Sequence, residues 1–217
     1  MQCTLCSSIS KPFCADKKRP YFRCTECDLI FADPDTLLSQ AEEKLIYDYH
    51  ENGPNDVGYR KFLNNLATPL LDKLSPGMEG LDFGSGPGPT LNLMLEEKGM
   101  KMSVYDIYYA PDTGQLSCQY DFVTCTEVAE HFREPDKSWA QLIGLVKPGG
   151  WLGVMTCMFT KETADDFNLW SYKGDPTHIS FYTPKTIQWI ARHFRLELEI
   201  INDRVIFFRK PADARQR

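Results

Sequence analysis

The apolar positions of this 217-residue chain change their period several times, and each change predicts an element. Between Thr36 and Tyr49, the residues Leu37, Leu38, Ala41, Leu45 and Tyr49 recur at mixed spacings of three and four, which predicts a helix with one buried face. The polar, glycine-containing run from Tyr47 to Pro54 breaks it. A second helix follows, in which Phe62, Leu66, Leu70 and Leu74 fall four apart and Pro69 predicts a kink. Ser75, Pro76 and Gly77 end that segment. These two helices are expected to link an N-terminal module to the main domain and to pack over the mouth of its sheet. Tyr47, His50 and Tyr59 would then either reach a ligand or serve as ordinary packing.

From residue 76 onward, short apolar runs alternate with helical patterns, which predicts βαβ units and a mostly parallel sheet. The run Leu81 to Phe83 reads as a strand, and Leu91, Met94 and Leu95 give the helix after it a buried face, with Pro89 suited to its first turn. Met102 to Asp106 is a second strand ending in an acid, and Tyr120 to Thr126 an apolar strand that runs into a loop dense in ionisable groups. A helix begun by Pro135 and faced by Trp139, Leu142, Ile143 and Val146 stops at Lys147 to Gly150, and Trp151 to Thr156 is the next strand. Thr163 to Tyr172, with Phe167, Leu169, Trp170 and Tyr172, reads as an aromatic insertion placed to act as a lid. The last helix starts near Thr183 and buries Ile187, Ile190, Ala191 and Phe194; Leu196 to Ile200 and Val205 to Phe208 then form an antiparallel pair about a turn at Asn202 and Asp203.

The first strand empties into Gly84, Ser85, Gly86, Pro87 and Gly88, and glycine at such a position admits a sharp turn and close approach by a ligand. No Gly-Lys-Ser/Thr ending follows, as a mononucleotide phosphate loop would require. The third glycine is also misplaced for the dinucleotide pattern G-x-G-x-x-G, and no Tyr-x-x-x-Lys pair supports a nicotinamide oxidoreductase. Asp106, 18 residues beyond Gly88, stands where a carboxylate accepts hydrogen bonds from a ribose diol; a turn or cap residue is the plainer alternative.

Cysteine usage separates off the first 31 residues. Cys3, Cys6, Cys24 and Cys27 form two C-x-x-C knuckles 17 residues apart, the spacing of a four-cysteine structural zinc site. A redox pair or a metal-free ribbon would share that pattern, while Cys14 reads as a spare thiol. Zinc would account for folding of a segment with few apolar groups, because metal binding then supplies folding free energy. This module carries +2 of a chain whose net charge is −6, leaving −8 for the rest, so only the ribbon could offer a basic patch. Composition is globular at 42% hydrophobic and 12% aromatic residues, and no apolar run approaches the roughly 20 residues that span a bilayer. With no basic-then-apolar leader, a soluble cytoplasmic protein without membrane contact is expected. Three segments are expected: a zinc ribbon at 1–31, linking helices at 32–75 and a main domain at 76–212.

The order of motifs across residues 76 to 210 (strand, glycine loop, acid-ended strand, the YDFVT strand, helix, KPGG and strand) resembles class I S-adenosylmethionine-dependent methyltransferases, most of all the ubiquinone-biosynthesis O-methyltransferase group. The resemblance implies a Rossmann-like α/β sheet, mostly parallel with a C-terminal antiparallel pair. It also implies S-adenosylmethionine held by Asp82, Gly84, Ser85, Gly86, Gly88, Asp106, Thr124 and Glu127, with Asp82 near the amine and Asp106 on the ribose. One departure is clear: only 14 residues separate Asp106 from Asp121, so the third strand of the family shrinks to at most a few residues around Leu116 to Cys118. Its acidic adenine contact cannot be placed, and Ile107, Tyr108 and Tyr109 are expected to wall the adenine pocket instead.

Candidate chemistry follows the cofactor loop. His178, just after the insertion, is the first choice for a base on the acceptor, since imidazole titrates near neutrality; a buried histidine bonded to Asp175 or backbone is the alternative. Glu127, Glu130 and His131 would share one face if their segment forms a helical turn, and carboxylates with imidazole suit a divalent ion. This E-x-x-E-H resembles the metal motif of ubiquinone O-methyltransferases and of small-RNA 2′-O-methyltransferases, with His178 as a distant fourth ligand. In methyltransferases without a metal, the same residues contact cofactor or cap the helix. Cys125 and Cys157 at strand ends are read as buried thiols and not nucleophiles. The leading expectation is methyl transfer to an oxygen or nitrogen of a small molecule. An RNA or protein acceptor docked through the ribbon, or a non-catalytic S-adenosylmethionine-binding module, are the alternatives.

Overall fold

A computed structural model of the chain describes residues 1–49 and 51–212. His50, a candidate on the linking segment, lies outside the described residues. The N-terminal module is an antiparallel sheet of β1 (Ser10–Ala15), β2 (Pro20–Cys24) and β3 (Ile30–Ala32). Its fourth strand comes from the far end of the chain: β8 (Ser180–Phe181) pairs antiparallel with β3, Ile30 facing Phe181 and Phe31 facing Ser180. Two helices follow the ribbon, α1 (Gln40–Tyr47) and α2 (Val57–Leu71).

The main sheet comprises β4 (Glu79–Phe83), β5 (Lys101–Tyr105), β6 (Tyr120–Thr126), β7 (Val146–Met155), β9 (Glu197–Ile200) and β10 (Val205–Arg209) in the order β5-β4-β6-β7-β10-β9. The first four are mutually parallel, and β10 runs antiparallel to both β7 and β9, as the hydrophobic pattern predicts. Crossovers run through α3 (Leu91–Glu96) and α4 (Pro135–Gly144); α5 (Ala164–Leu169) and α6 (Pro184–His193) follow β7.

Side chains alternate across the sheet, so both faces are covered. On β10, Ile206 and Phe208 join α4 and α6 (Trp139, Leu142, Ile187, Ile190), whereas Val205 and Phe207 join α2 and α3 (Leu63, Leu66, Leu91, Leu95). The first of these cores continues into the ribbon through Leu5, Leu29 and Phe31. The shortened third strand expected around Leu116 to Cys118 does not form: Thr113–Ser117 is a 3-10 turn capped by Cys118, and β5 is the sheet edge. Lys147 to Gly150, expected to stop a helix, lies within β7.

Two further expectations fail for physical reasons. The helix predicted from Thr36 starts only at Gln40, where Ser39 and Glu42 make a reciprocal capping box, and its Leu45 is 63% exposed. It lies over a polar cavity mouth and not an apolar core, so Glu43, paired with Arg133, is the buried residue of that helix. The aromatic insertion is not a free lid. Phe167 is fully buried, edge-on to Tyr21 at 5.1 Å, Phe181 at 5.1 Å and Phe159 at 5.2 Å. Aromatic pairs contribute about 0.5–1.5 kcal/mol each beyond area burial, enough together to keep the segment docked on the ribbon.

Candidate active site

The parallel strands reverse their order of addition between β4 and β6, and open sheets bind ligands outside the carboxyl ends at such a point. A cavity of about 870 Å³ lies there. Gly84, Ser85, Gly86 and Gly88 line one side with Asp106, Ile107, Tyr108 and Tyr109, while Glu127, His131, Asp175 and His178 line the other. Tyr47, Tyr59 and Phe62 from the two linking helices also face it.

The glycine loop is shaped by its neighbours. Gly84 has φ +80°, and a Cβ there would stand 2.3 Å from Val128 Cγ2, so no side chain fits. A Cβ at Gly88 would meet the Asn52 carbonyl at 1.9 Å; this glycine admits the linking segment. Gly86 N–H donates to Asp106 Oδ2 at 2.9 Å, while Asp106 Oδ1 accepts from the backbone of Tyr108 (2.8 Å) and Tyr109 (3.0 Å). A carboxylate offers about four acceptor positions, so capacity for a diol remains. Ser85 Oγ and Thr126 Oγ1 are buried beside the cavity with no hydrogen-bond partner, a cost that a polar ligand group would remove. The loop therefore fits a ligand that carries polar groups and approaches the backbone closely.

Two expected cofactor residues lie behind that wall. Asp82 and Thr124 are buried within β4 and β6 and do not line the cavity; Thr124 Oγ1 donates to Asp82 Oδ1 at 2.7 Å. Burial pushes the Asp82 carboxyl up to about 6 against the lowering effect of that bond. Cys125 is equally buried and its thiol is driven well above the ordinary range by desolvation, which makes it inert as a nucleophile.

The opposite wall departs from the expected helical turn. Only Ala129–His131 forms a 3-10 turn, and Glu127 precedes it with φ +53°, a left-handed conformation uncommon outside glycine. Glu127 therefore shares no helical face with Glu130 and His131, although the Tyr172 hydroxyl lies between the two carboxylates. Its Oε1 accepts from Arg204 Nη1 at 2.8 Å and its Oε2 from the Tyr172 hydroxyl at 3.3 Å, while burial first, then the Glu130 charge, push its carboxyl up to about 7. Glu130 is fully buried, accepting from Thr156 Oγ1 (2.8 Å) and Tyr172 Oη (2.5 Å), and burial raises its carboxyl too.

Both imidazoles are oriented through Nδ1. His131 Nδ1 donates to the Thr177 carbonyl at 2.9 Å, with the Tyr47 hydroxyl 3.1 Å from the same nitrogen, and His178 Nδ1 donates to the Tyr172 carbonyl at 2.7 Å. That fixes the proton on Nδ1 and leaves Nε2 as the acceptor nitrogen of each ring. Burial lowers both histidines, His178 to about 4, with the His131 charge adding to its shift. Ligand atoms of Glu130, His131 and His178 lie within 4.8 Å of one another; Glu127 is not in that group. The four ribbon cysteines form a second such group, with Cys3 Sγ 3.6 Å from Cys27 Sγ and Cys6 Sγ 3.4 Å from Cys24 Sγ. Tetrahedral zinc at about 2.3 Å from each sulfur sets sulfur separations of roughly 3.8 Å, so this donor set fits.

Sequence reasoning missed Thr126 and Arg204 and read Tyr172 only as part of the aromatic insertion. Thr126 had a legible position, at the end of a strand beside the glycine loop; that Tyr172 and Arg204 reach Glu127 from 45 and 77 residues away has no local signal.

A family model described as "Methyltransferase domain" matches residues 57–199. Among curated proteins, the ubiquinone biosynthesis O-methyltransferase of Aeromonas salmonicida is 31% identical over 77 residues, covering 36% of this chain and 32% of that protein. The one from Bordetella avium is 30% identical over 116 residues, covering 42% and 48%. The match thus spans less than half the length of these relatives. Among solved structures, 1,6-didemethyltoxoflavin-N1-methyltransferase of Burkholderia thailandensis, with bound S-adenosylhomocysteine, superposes with TM-score 0.56 at 14% identity over 93% of this chain and 99% of that one. Magnesium protoporphyrin IX methyltransferase of Synechocystis PCC 6803, with SAM bound, gives TM-score 0.54 at 17% identity over 79% and 92%. At those identities the likeness establishes the fold.

Proposed function

The chain belongs to the methyltransferase-domain family, and on that premise we propose that it transfers a methyl group from S-adenosylmethionine to an oxygen or nitrogen of a small molecule. The observation that carries the reading is the pair of unpartnered hydroxyls, Ser85 Oγ and Thr126 Oγ1, set beside the Gly84 to Gly86 backbone and Asp106 at the sheet's switch point. S-adenosylmethionine supplies an electrophilic methyl on a sulfonium, which leaves as a neutral thioether. The chain's work is to bind and orient. Ser85 and Thr126 take the polar end of the methionine part, Asp106 the ribose, and Ile107, Tyr108 and Tyr109 the adenine. The buried carboxyl of Asp82 supports the loop from behind.

His178 receives the acceptor's proton at Nε2. Its low conjugate-acid pKa keeps the ring neutral at pH 7, so the lone pair is free, and the Tyr172 carbonyl holds the ring through Nδ1. Tyr47, Tyr59 and Phe62 present aromatic walls suited to a planar acceptor. The ubiquinone-biosynthesis relatives favour oxygen as its reactive atom. A small molecule is preferred to RNA because two of the ribbon's five basic groups are spent internally: Arg23 on Asp28 and the Glu162 carbonyl, Arg19 on other backbone carbonyls. Zinc in the ribbon is part of the same reading. No helix among the described residues is long and apolar enough to cross a membrane.

A second reading rests on the Glu130, His131 and His178 group, which would hold a divalent ion through both Nε2 atoms and polarise an acceptor hydroxyl. Both Nδ1 atoms already donate to carbonyls, the usual partner arrangement of ligating histidines.

Methyl-labelled cofactor and a panel of phenolic and heterocyclic acceptors test the proposal. His178→Gln is expected to lower turnover by about 100-fold or more while S-adenosylhomocysteine affinity stays within threefold. Undiminished turnover removes His178 as the base. Loss of turnover in chelator while the ribbon's zinc stays bound, restored by added divalent ion and not restored in Glu130→Gln, selects the metal reading.

A further inference from the structure

The ribbon and the acceptor wall meet at one loop, residues 172 to 178. Five of its carbonyls have assigned partners. Those of Tyr172 and Thr177 accept from His178 Nδ1 and His131 Nδ1. The other three accept from a single side chain of the ribbon: Arg19 Nη1 donates to Pro176 at 2.9 Å, and Nη2 to Asp175 at 3.0 Å and Lys173 at 3.2 Å. Arg19 is 7% exposed, and its Nε donates to the Tyr21 hydroxyl at 2.7 Å, which in turn donates to Asp16 Oδ2 at 3.0 Å. Lys173, itself buried, closes the arrangement by donating to Asp16 Oδ2 at 2.8 Å.

The far end of the loop is held by the same module. Ala32 N–H donates to the Ile179 carbonyl at 2.9 Å, and β3 pairs with β8 from Ser180. Thr183 Oγ1 then donates to Asp28 Oδ2 at 2.9 Å. The segment bearing His178 is therefore fixed on both sides by residues 16 to 32.

We infer that Arg19 is a positioning residue: by clamping the carbonyls of Lys173, Asp175 and Pro176 it sets the loop whose Tyr172 and Thr177 carbonyls fix both imidazoles with Nε2 as the acceptor nitrogen. The cysteine ribbon is thus a brace for the acceptor wall. Only a guanidinium suits this place, since its rigid fork serves three carbonyls and Tyr21 at once, while an ammonium is a point donor. The assignment rests on the proposed function only for its consequence in turnover; the geometry of the rings is independent of it, and holds whether Nε2 takes a proton or a cation.

The test is long-range 1H–15N correlation spectroscopy of the imidazoles in the full chain, with His131 and His178 signals assigned by their glutamine variants. The unsubstituted protein is expected to show both rings protonated at Nδ1 and unprotonated at Nε2. In Arg19→Ala both signals are expected to move toward tautomer averaging. Turnover should fall about 10- to 100-fold, as misplacement of a reacting group does, with S-adenosylhomocysteine affinity within threefold. Unchanged Nδ1-protonated signals in Arg19→Ala overturn the inference whatever happens to turnover. Should Arg19→Ala fail to fold, Arg19→Lys gives the same reading: averaged signals support the clamp, unchanged ones overturn it. Absence of S-adenosylhomocysteine binding by the unsubstituted protein would count against the proposed function and leave the ring spectra to decide the clamp.

Discussion

The cavity wall proposed for the cofactor is made from near neighbours in sequence, whereas the wall proposed for the acceptor is tied together across 157 residues between Arg19 and Pro176. Gly84, Ser85 and Gly86 follow directly on β4, and Asp106 follows directly on β5, so two adjacent parallel strands bring them together at once. His131 and His178 come from a 3-10 turn and a loop with no regular structure to orient them. Their rings are oriented by the Tyr172 and Thr177 carbonyls, which belong to a loop whose Lys173, Asp175 and Pro176 carbonyls the ribbon's Arg19 holds. The difference teaches where each wall is vulnerable: the first to a change of backbone shape in one loop, the second to any loss of the ribbon.

Removing one of the proposed zinc ligands should have the largest effect. If the ribbon holds structural zinc, which contributes folding free energy directly, Cys24→Ser is expected to cost roughly 4 kcal/mol or more and to lower Tm by about 12 °C. Amide exchange should accelerate at residues 30 to 32 and 179 to 181 before it does in β4. Equal acceleration in β4 and β8 would break the distinction between the walls.

Gly84→Val should strike the other wall. A β-branched residue at φ +80° with Val128 at contact distance forces the loop to move, and S-adenosylhomocysteine affinity is expected to fall by about 100-fold or more. The histidine signals should stay as they are. A Gly84→Val protein that binds normally would remove the loop from the cofactor site.

The smallest effect is a gain. Asp82 titrates at about 6 in the folded chain against an ordinary 3.8, so the folded state holds an extra proton between those values. Stability from this group is greatest below about pH 4, falls as pH rises through the window to about 6, and stays lowered above it. Asp82→Asn is expected to raise stability at pH 7.5 by about 1–3 kcal/mol and to flatten the pH 4–6 dependence in urea titrations, while weakening the cofactor site. A loss of stability at pH 7.5 would mean that the bond from Thr124 outweighs the burial cost.

The same contrast explains what could be read in the sequence. The α/β order, the glycine loop, Asp106 and the four cysteines were legible because each is a local pattern of strand, turn or knuckle. Asp82 was placed correctly on its strand, but strand alternation turns it into the interior behind the loop. Glu127 lines the cavity, but the helical face expected for it with Glu130 and His131 does not form, because the residue is left-handed and its carboxylate pairs with Arg204 in the turn before β10. The aromatic insertion read as a lid because nothing local says that Phe167 meets Tyr21 of the ribbon. Arg19 carries no signal in the sequence beyond its share of the ribbon's positive charge, and only the folded chain brings it to the carbonyls.

Calorimetric titration of S-adenosylhomocysteine into the unsubstituted protein and into Arg19→Ala bears most directly on a cavity with one cofactor wall and one separately braced acceptor wall. Saturable binding at one site per chain is expected in both, with dissociation constants within threefold of each other. No binding to the unsubstituted protein would contradict the cofactor site itself, and binding lost only in Arg19→Ala would contradict the independence of the two walls.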